Sequence, residues 1–290
     1  MICICPIDRG FRLIVTWKRK GASAMEQYQR KTILPGITLL YGFPEECCIY
    51  AAEGERALAL IDTGMGKGDL PAALETLAPG KEILVFNTHC HFDHSAGNYR
   101  FPAVRMHPGC GQDQDETEAM PGAGRPCARR IPVREGDTFD LGGVTLEVIE
   151  TPGHTPGCIC LLDRTRRVLF TGDLIGSDVH NVWMLDHLPW VKFSTVSLEC
   201  YLRSLEKAEA LGDRYDGFLC GHDDRILGKE YLRELMRLTR SVLDGTAKPE
   251  RPDIPSPPGQ DPVVCWRVRG EGVPTAILYQ EESIHDRKQG

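Results

Sequence analysis

From Thr88 to His94 the chain reads Thr-His-Cys-His-Phe-Asp-His, three imidazoles and one carboxylate in six consecutive positions of a chain with nine histidines in all. Imidazole and carboxylate together suit zinc, iron or manganese, and neutral histidine is the commonest side-chain ligand for such ions. Further donors of the same kind follow, each just after an apolar run: His154 in Pro-Gly-His-Thr-Pro-Gly, Asp173 after Arg167–Gly172, and His222 after Phe218–Gly221. With His89, His91, Asp93 and His94 they make seven candidate ligands. A catalytic zinc takes about three protein ligands and a water, so seven suit two ions sharing a bridging carboxylate. Two ions roughly 3.5–4 Å apart would acidify a shared water towards a pKa of about 7 and polarise a carbonyl or phosphoryl oxygen. The chemistry expected is hydrolysis by a metal-bridging hydroxide. It needs no side-chain nucleophile, and the chain has neither a Gly-x-Ser-x-Gly elbow nor a Gly-x-x-x-x-Gly-Lys-Ser/Thr phosphate loop. A structural zinc site would favour a closed, Cys-rich tetrahedron, and no Cys-x-x-Cys pair occurs.

Five patterns in order, Asp62-Thr63-Gly64, His-x-His-x-Asp-His at 89–94, Gly153-His154, Gly172-Asp173 and Gly221-His222, resemble those of the metallo-β-lactamase superfamily. Each alone is weak; the five in order are specific, and the resemblance runs from about Ile33 to His222. It implies an α/β fold, a four-layer αβ/βα sandwich with the metals at one edge between two sheets. It implies one ion held by His89, His91 and His154 and another by Asp93, His94 and His222, with Asp173 bridging. Asp93 and Asp173 would be the catalytic carboxylates. The cofactor expected is two divalent metal ions, zinc first, with iron or manganese as alternatives.

Ligands need rigid placement, and the apolar runs supply it. Lys81–Phe86, Val144–Ile149, Arg167–Phe170 and Phe218–Cys220 read as strands that each end just before a ligand. Ile37–Tyr41 and Cys48–Ala51 read as opening strands, Leu70–Leu77 as a helix stopped by Pro79-Gly80, and Ser197–Leu211 and Lys229–Leu243 as longer helices. Asp62, ending the run Leu58–Ile61, is expected to accept a hydrogen bond from a ligating histidine. Thr88 is placed with it behind the ligands. Cys90, between two inward-facing histidines, is expected to point away; His107 reads as structural or solvent-facing, and His285 as part of a polar tail. The polar stretch 111–137 reads as a solvated excursion, with a cover over the metal site as the alternative.

The chain holds 290 residues with 41% apolar content, enough for one large core. A net charge of −7 argues against nucleic acid as a partner, since phosphate recognition needs a basic surface. No apolar run approaches a membrane span. Residues 1–24 are expected to be an extension, with Met25 a plausible start, and 25–290 a single domain. Within it, 174–196 would be a pocket insert and 246–290 a Pro-rich linker with a closing hairpin formed by Val263–Arg269 and Thr275–Tyr279. Most of the twelve cysteines read as small buried hydrophobes in a reducing compartment, and the location expected is cytoplasmic.

The substrate expected is a small molecule. The insert after Asp173 carries His180, Trp183, His187 and Trp190, candidates for a pocket wall and for proton transfer. Within the resembled superfamily, Asp173 stands where β-lactamases carry Cys or Ser, and the pocket tyrosine of acyl-homoserine lactonases has no counterpart in Leu174–Val179. Thr88-His89-x-His91-x-Asp93-His94 resembles the glyoxalase II block, although the basic helical C-terminal domain of those enzymes is not evident. Hydrolysis of an ester, thioester or lactone carbonyl is therefore expected. The alternatives are a mononuclear-iron, persulfide dioxygenase-like oxidoreductase, or a phosphodiesterase.

Overall fold

A computed structural model describes residues 28–43, 47–119, 129–175, 182–185, 195–252 and 264–286. Two sheets lie face to face. The first has seven strands in sequence order: Gln29–Leu34, Ile37–Tyr41, Ile49–Glu53, Ala57–Ile61, Glu82–Phe86, Val104–Met106 and Arg130–Pro132. Its first four are antiparallel, and from Ala57–Ile61 onward the pairing is parallel. The second has six, in the order Ile226–Leu227, Gly217–Cys220, Val168–Gly172, Ile159–Asp163, Thr145–Glu150, Thr138–Asp140.

The strands run apolar without alternation because both faces are covered. In Ala57–Ile61, Leu58 and Leu60 pack outward with Leu70 and Leu74 of helix Leu70–Leu77, while Ala57, Ala59 and Ile61 pack inward. In Ile159–Asp163, Ile159 and Leu161 face the first sheet, and Cys160 and Leu162 face the other way. That outer face is covered by Leu198, Tyr201 and Leu205 of helix Leu198–Ala210 and by Leu232, Leu235 and Leu238 of helix Lys229–Leu243. Three apolar layers between four structural ones make the αβ/βα sandwich. Helix Leu70–Leu77 starts where Asp69 caps the Ala72 amide and a proline occupies its first turn.

A third, smaller sheet closes the chain. Trp266–Arg269 and Ala276–Tyr279 form an antiparallel hairpin, and Val182–Met184 from the segment after Asp173 adds to it in parallel. The polar stretch after His107 differs from a plain excursion: Gly111–Ala119 is a helix whose buried side chains are Asp113, Gln114 and Thr117. Its inward face is polar, so the apolar periodicity that signals a helix is missing. Residues 1–24, much of 174–196 and most of the Pro-rich linker lie outside the described residues.

Among the polar contacts that tie the sheets together near the end carrying the candidate ligands are two from one side chain. Tyr50, on the first sheet, packs on Phe170 of the second and sets its hydroxyl 2.9 Å from the Asp223 carbonyl and 3.1 Å from that of Cys220. Both carbonyls flank His222. Tyr50→Phe should therefore lower unfolding free energy by about 1–2 kcal/mol, the cost of leaving a buried carbonyl without its donor. Urea denaturation with an unchanged m-value checks it, and a midpoint equal to wild type would show the bond to be dispensable.

Candidate metal centre

All seven candidate ligands gather where the parallel strands of both sheets end. Glu82–Phe86 leads to His89 and His91, and the short helix Phe92–Ser95 that follows presents Asp93 and His94. The turn after Thr145–Glu150 brings in His154, the end of Val168–Gly172 brings Asp173, and the end of Gly217–Cys220 brings His222. His89, His91 and His154 form one group of donor atoms within 4.8 Å of one another. Asp93, His94 and His222 form a second, and Asp173 joins His89 and His94 in a third. Asp173 Oδ2 lies 3.3 Å from His222 Nε2 and 3.7 Å from His154 Nε2, and its Oδ1 lies 3.4 Å from His94 Nε2. The carboxylate therefore stands between the two triads.

Two glycines let these strand ends meet. A Cβ on Gly221 would lie 2.2 Å from Asp173 Oδ1 and 2.8 Å from His94 Cε1. A Cβ on Gly172, whose φ is +50°, would lie 2.3 Å from Thr88 Oγ1. Helix Leu198–Ala210 braces the outer side: Ser204 Oγ donates to the Pro152 carbonyl at 2.6 Å, beside His154, and Tyr201 donates to the Leu174 carbonyl at 2.8 Å, beside Asp173.

Tautomers follow from the partners. Asp62 Oδ2 accepts from His94 Nδ1 at 2.8 Å, so one His94 proton is held on Nδ1 and Nε2 is the nitrogen turned to the cluster, where a cation would replace its proton. Thr88 gives its hydroxyl proton to Asp62 Oδ2 at 2.8 Å and so can only accept from His89 Nδ1, 3.2 Å away. That leaves His89 Nε2 as a bare lone pair, buried and without a hydrogen-bond partner. Such an atom is costly unless something electron-poor faces it. His154 Nε2 and His91 Nδ1 confront each other at 2.9 Å, and His94 Nε2 and His222 Nε2 at 3.4 Å. Donors about 3.3 Å apart are what tetrahedral nitrogen ligation of zinc at about 2.0–2.1 Å requires. The donor set fits a divalent transition metal.

Charge divides the cluster into halves. Burial pushes His89 and His91 well below the usual imidazole range, and the neighbouring rings push the same way. Burial also opposes ionisation of Asp93, but His94 and His222 outweigh it and hold the carboxyl at about 2. For His222 burial disfavours the charge, yet Asp173 and Asp93 hold it up to about 10. Asp173 is likewise held well below the carboxylate range, against burial, by His222 and His94. A cation entering here would displace protons from His94 and His222. The side chains of Asp93, Asp173 and His222 are 16%, 18% and 21% exposed and those of His94 and Asp62 almost fully buried, so the cluster opens to solvent on one side.

The other expected residues are either not described or lie away from this cluster. His180, His187 and Trp190 lie outside the described residues, as does the Trp183 side chain, whose main chain belongs to strand Val182–Met184. Cys90 is fully buried with its sulfur 3.9 Å from Met106 Sδ, away from the ligands. His107 pairs with Glu150 at 3.0 Å, and His285 pairs with Glu199 at 2.9 Å. Cys47 belongs to no ligand pattern in the sequence, yet it forms a close group with Asp62 and His94. Its only sequence signal is its place at the end of the loop after the strand Ile37–Tyr41.

The Metallo-beta-lactamase superfamily profile matches residues 43–222. Acyl-coenzyme A thioesterase MBLAC2 of Homo sapiens is 28% identical over 229 residues, which cover 66% of this chain and 79% of that protein. Persulfide dioxygenase ETHE1, mitochondrial, of Homo sapiens is 34% identical over 120 residues, 41% of this chain and 44% of that protein. Among solved structures, a metallo-beta-lactamase family protein from Thermus thermophilus superposes with a TM-score of 0.56 at 23% identity, over 76% of this chain and 85% of that one. At that identity the likeness speaks for the fold alone. The profile match spans more than half of the chain and includes every donor of the cluster, and the chain belongs to the metallo-β-lactamase superfamily.

Proposed function

We propose that the protein is a dinuclear, zinc-dependent hydrolase of ester bonds, thioesters first. The observation that carries this reading is the position of Asp173 between two histidine-containing triads. Superfamily membership supports a metal-dependent hydrolase, and the similarity to an acyl-coenzyme A thioesterase supports the thioester. Divalent ions held by His89, His91 and His154 and by Asp93, His94 and His222 would supply a Lewis acid for the acyl oxygen and a water acidic enough to attack at neutral pH.

The protein's part is placement. Asp173 holds the two halves in register. Asp62 and Thr88 keep the Nε2 lone pairs of His94 and His89 turned inward. Asp93, at the open side, is the carboxylate placed to pass a proton between the attacking water and the leaving group. A thiolate leaves with little help, since a free thiol has a pKa of about 8.5; one partly exposed carboxylate then suffices. We assign acyl selection to the insert 174–196, with His180, Trp183, His187 and Trp190 as its side chains. A cytoplasmic location is supported by the nine described cysteines, all unpaired thiols. Among the described residues no helix is long and apolar enough to cross a membrane.

The similarity to a persulfide dioxygenase favours one competing reading, oxygen chemistry at a single iron. Metal analysis of the protein as isolated, with a panel of thioesters, esters, lactones and phosphodiesters and an oxygen electrode, separates the two. Two equivalents of zinc and thioester turnover that is lost on chelation and restored by zinc are expected. One iron with persulfide-dependent oxygen uptake, or turnover of phosphodiesters alone, would overturn the proposal.

Two substitutions probe the centre. Asp173→Asn should fold normally and lose more than about 100-fold in kcat, beyond the 10–100-fold typical of residues that only support a ligand. Near-normal turnover with two metals retained would remove Asp173 from the bridge. Asp62→Asn has one accepting oxygen in place of two, so its NH2 must face either the Thr88 amide or His94, and the change should weaken zinc binding by about 10–100-fold. Chelator competition measures it; an unchanged affinity would assign Asp62 to the fold alone.

A further inference from the structure

Behind His94, on the side away from the ligand cluster, runs a chain of buried amides that the reaction itself does not use. The His94 carbonyl accepts the Thr63 amide at 2.8 Å and Asn87 Nδ2 at 3.3 Å. A carbonyl can only accept, so Asn87 must turn its NH2 towards His94 and its Oδ1 away. That Oδ1 accepts from Asn98 Nδ2 at 2.8 Å. The same Asn98 nitrogen donates to Gln114 Oε1 at 3.0 Å, and Asn98 Oδ1 accepts from Thr63 Oγ1 at 2.8 Å. Gln114 passes the pattern on to Glu118 at 2.9 Å, where Arg130 closes it at 2.9 Å. Thr63 and Asn87 are 0% exposed, Asn98 and Gln114 1%.

The Asn98 NH2 donates to both sides, to Asn87 towards His94 and to Gln114 towards Glu118, and each amide's orientation is fixed because the chain ends on groups that can only accept, the His94 carbonyl and the Glu118 carboxylate. Five separate segments contribute: the turn after Ala57–Ile61, the residue after Glu82–Phe86, the turn Ala96–Arg100, helix Gly111–Ala119 and strand Arg130–Pro132. Buried polar groups are a liability unless fully satisfied, and apolar side chains would hold these segments together without that risk. The chain ends on the main chain of a proposed ligand whose ring is held at the opposite end by Asp62. Ring and backbone together fix where His94 Nε2 points.

We propose that Asn98 is a positioning residue of the metal centre: through Asn87 it holds the His94 main chain and sets the aim of that ligand. This rests on the assignment of His94 as a ligand made above. Asn98→Asp keeps the shape but cannot donate. Asn87 and Gln114 would then have to rotate to donate to it, which turns Asn87 Oδ1 onto the His94 carbonyl, acceptor against acceptor.

The test is cobalt(II) affinity of the full-length protein by competition with a chromophoric chelator. The visible cobalt spectrum and the Tm of the metal-free protein are read on the same preparations. Asn98→Asp and Asn87→Ala should each weaken cobalt binding by about 10-fold or more, within the range for residues that support a ligand, and should alter the ligand-field bands. The double variant should bind within about twofold of Asn87→Ala alone, because two residues in one chain are not additive. A folded variant with wild-type affinity and spectrum, whose metal-free Tm alone has dropped, would reduce the chain to packing and overturn the proposal. So would a double variant that adds the two losses in full. Should Asn98→Asp fail to fold, Asn87→Ala decides by the same criterion. Wild-type protein that binds no cobalt would sink the metal reading together with this one; wild-type binding with unaffected variants would sink only this one and leave the proposed hydrolase standing.

Discussion

One buried carboxylate, Asp62, governs the edge where the candidate ligands gather. Its Oδ1 accepts the Thr88 amide at 2.8 Å, and its Oδ2 accepts both the Thr88 hydroxyl and His94 Nδ1, also at 2.8 Å. Three donors on a carboxylate, each worth about 1.5–3 kcal/mol, outweigh the roughly 1–2 kcal/mol that a left-handed backbone costs a residue with a side chain. Asp62 takes that conformation, with φ at 63°. The outcome reaches two of the proposed ligands at once. His94 is oriented directly, and the Thr88 hydroxyl, its proton committed to Asp62, leaves only an acceptor for His89.

Gathering seven donors in one place is an electrostatic problem before it is a catalytic one. Opposite charges 3.3 Å apart, as His222 and Asp173 are, attract by about 5 kcal/mol at an effective dielectric of 20. Burying each ion costs several kcal/mol, so the pairs come near to cancelling. The cluster can therefore fold on its own charges and still exchange protons for a cation. The division into an uncharged His89/His91 half and an ion-paired His94/His222 half follows from where the carboxylates lie. It also leaves the charged side open to water, where a substrate must arrive.

The two sheets contribute differently. The first supplies the dense block at 89–94 from one strand end, braced by side-chain hydrogen bonds. The second supplies His154, Asp173 and His222 from separate turns, braced by main-chain carbonyls that Tyr50, Tyr201 and Ser204 hold. Glycine at 172 and 221 is what brings the halves within ligand distance of each other. The insert after Asp173 is tied in turn to the closing hairpin through Val182–Met184, so a late part of the chain anchors the segment to which substrate selection is assigned.

Much of this is legible in the chain's own pattern. The α/β sandwich follows from motif order, and helices Leu70–Leu77 and Lys229–Leu243 from periodicity, because strands buried on two faces and helices buried on one leave distinct apolar patterns. The donor types are legible too, since imidazoles and carboxylates next to glycine at strand ends are uncommon in turns that only connect. Helix Gly111–Ala119 is not, because it buries Asp113, Gln114 and Thr117 rather than apolar side chains. Nor is the closeness of Cys47 to His94, or the amide chain from Arg130 to the His94 carbonyl. The sequence by itself determined which residues could hold a metal and that strands would present them, since both are properties of local pattern. Only the tertiary structure decided which lone pairs face inward, because a tautomer is set by hydrogen-bond partners that come from residues far away along the chain.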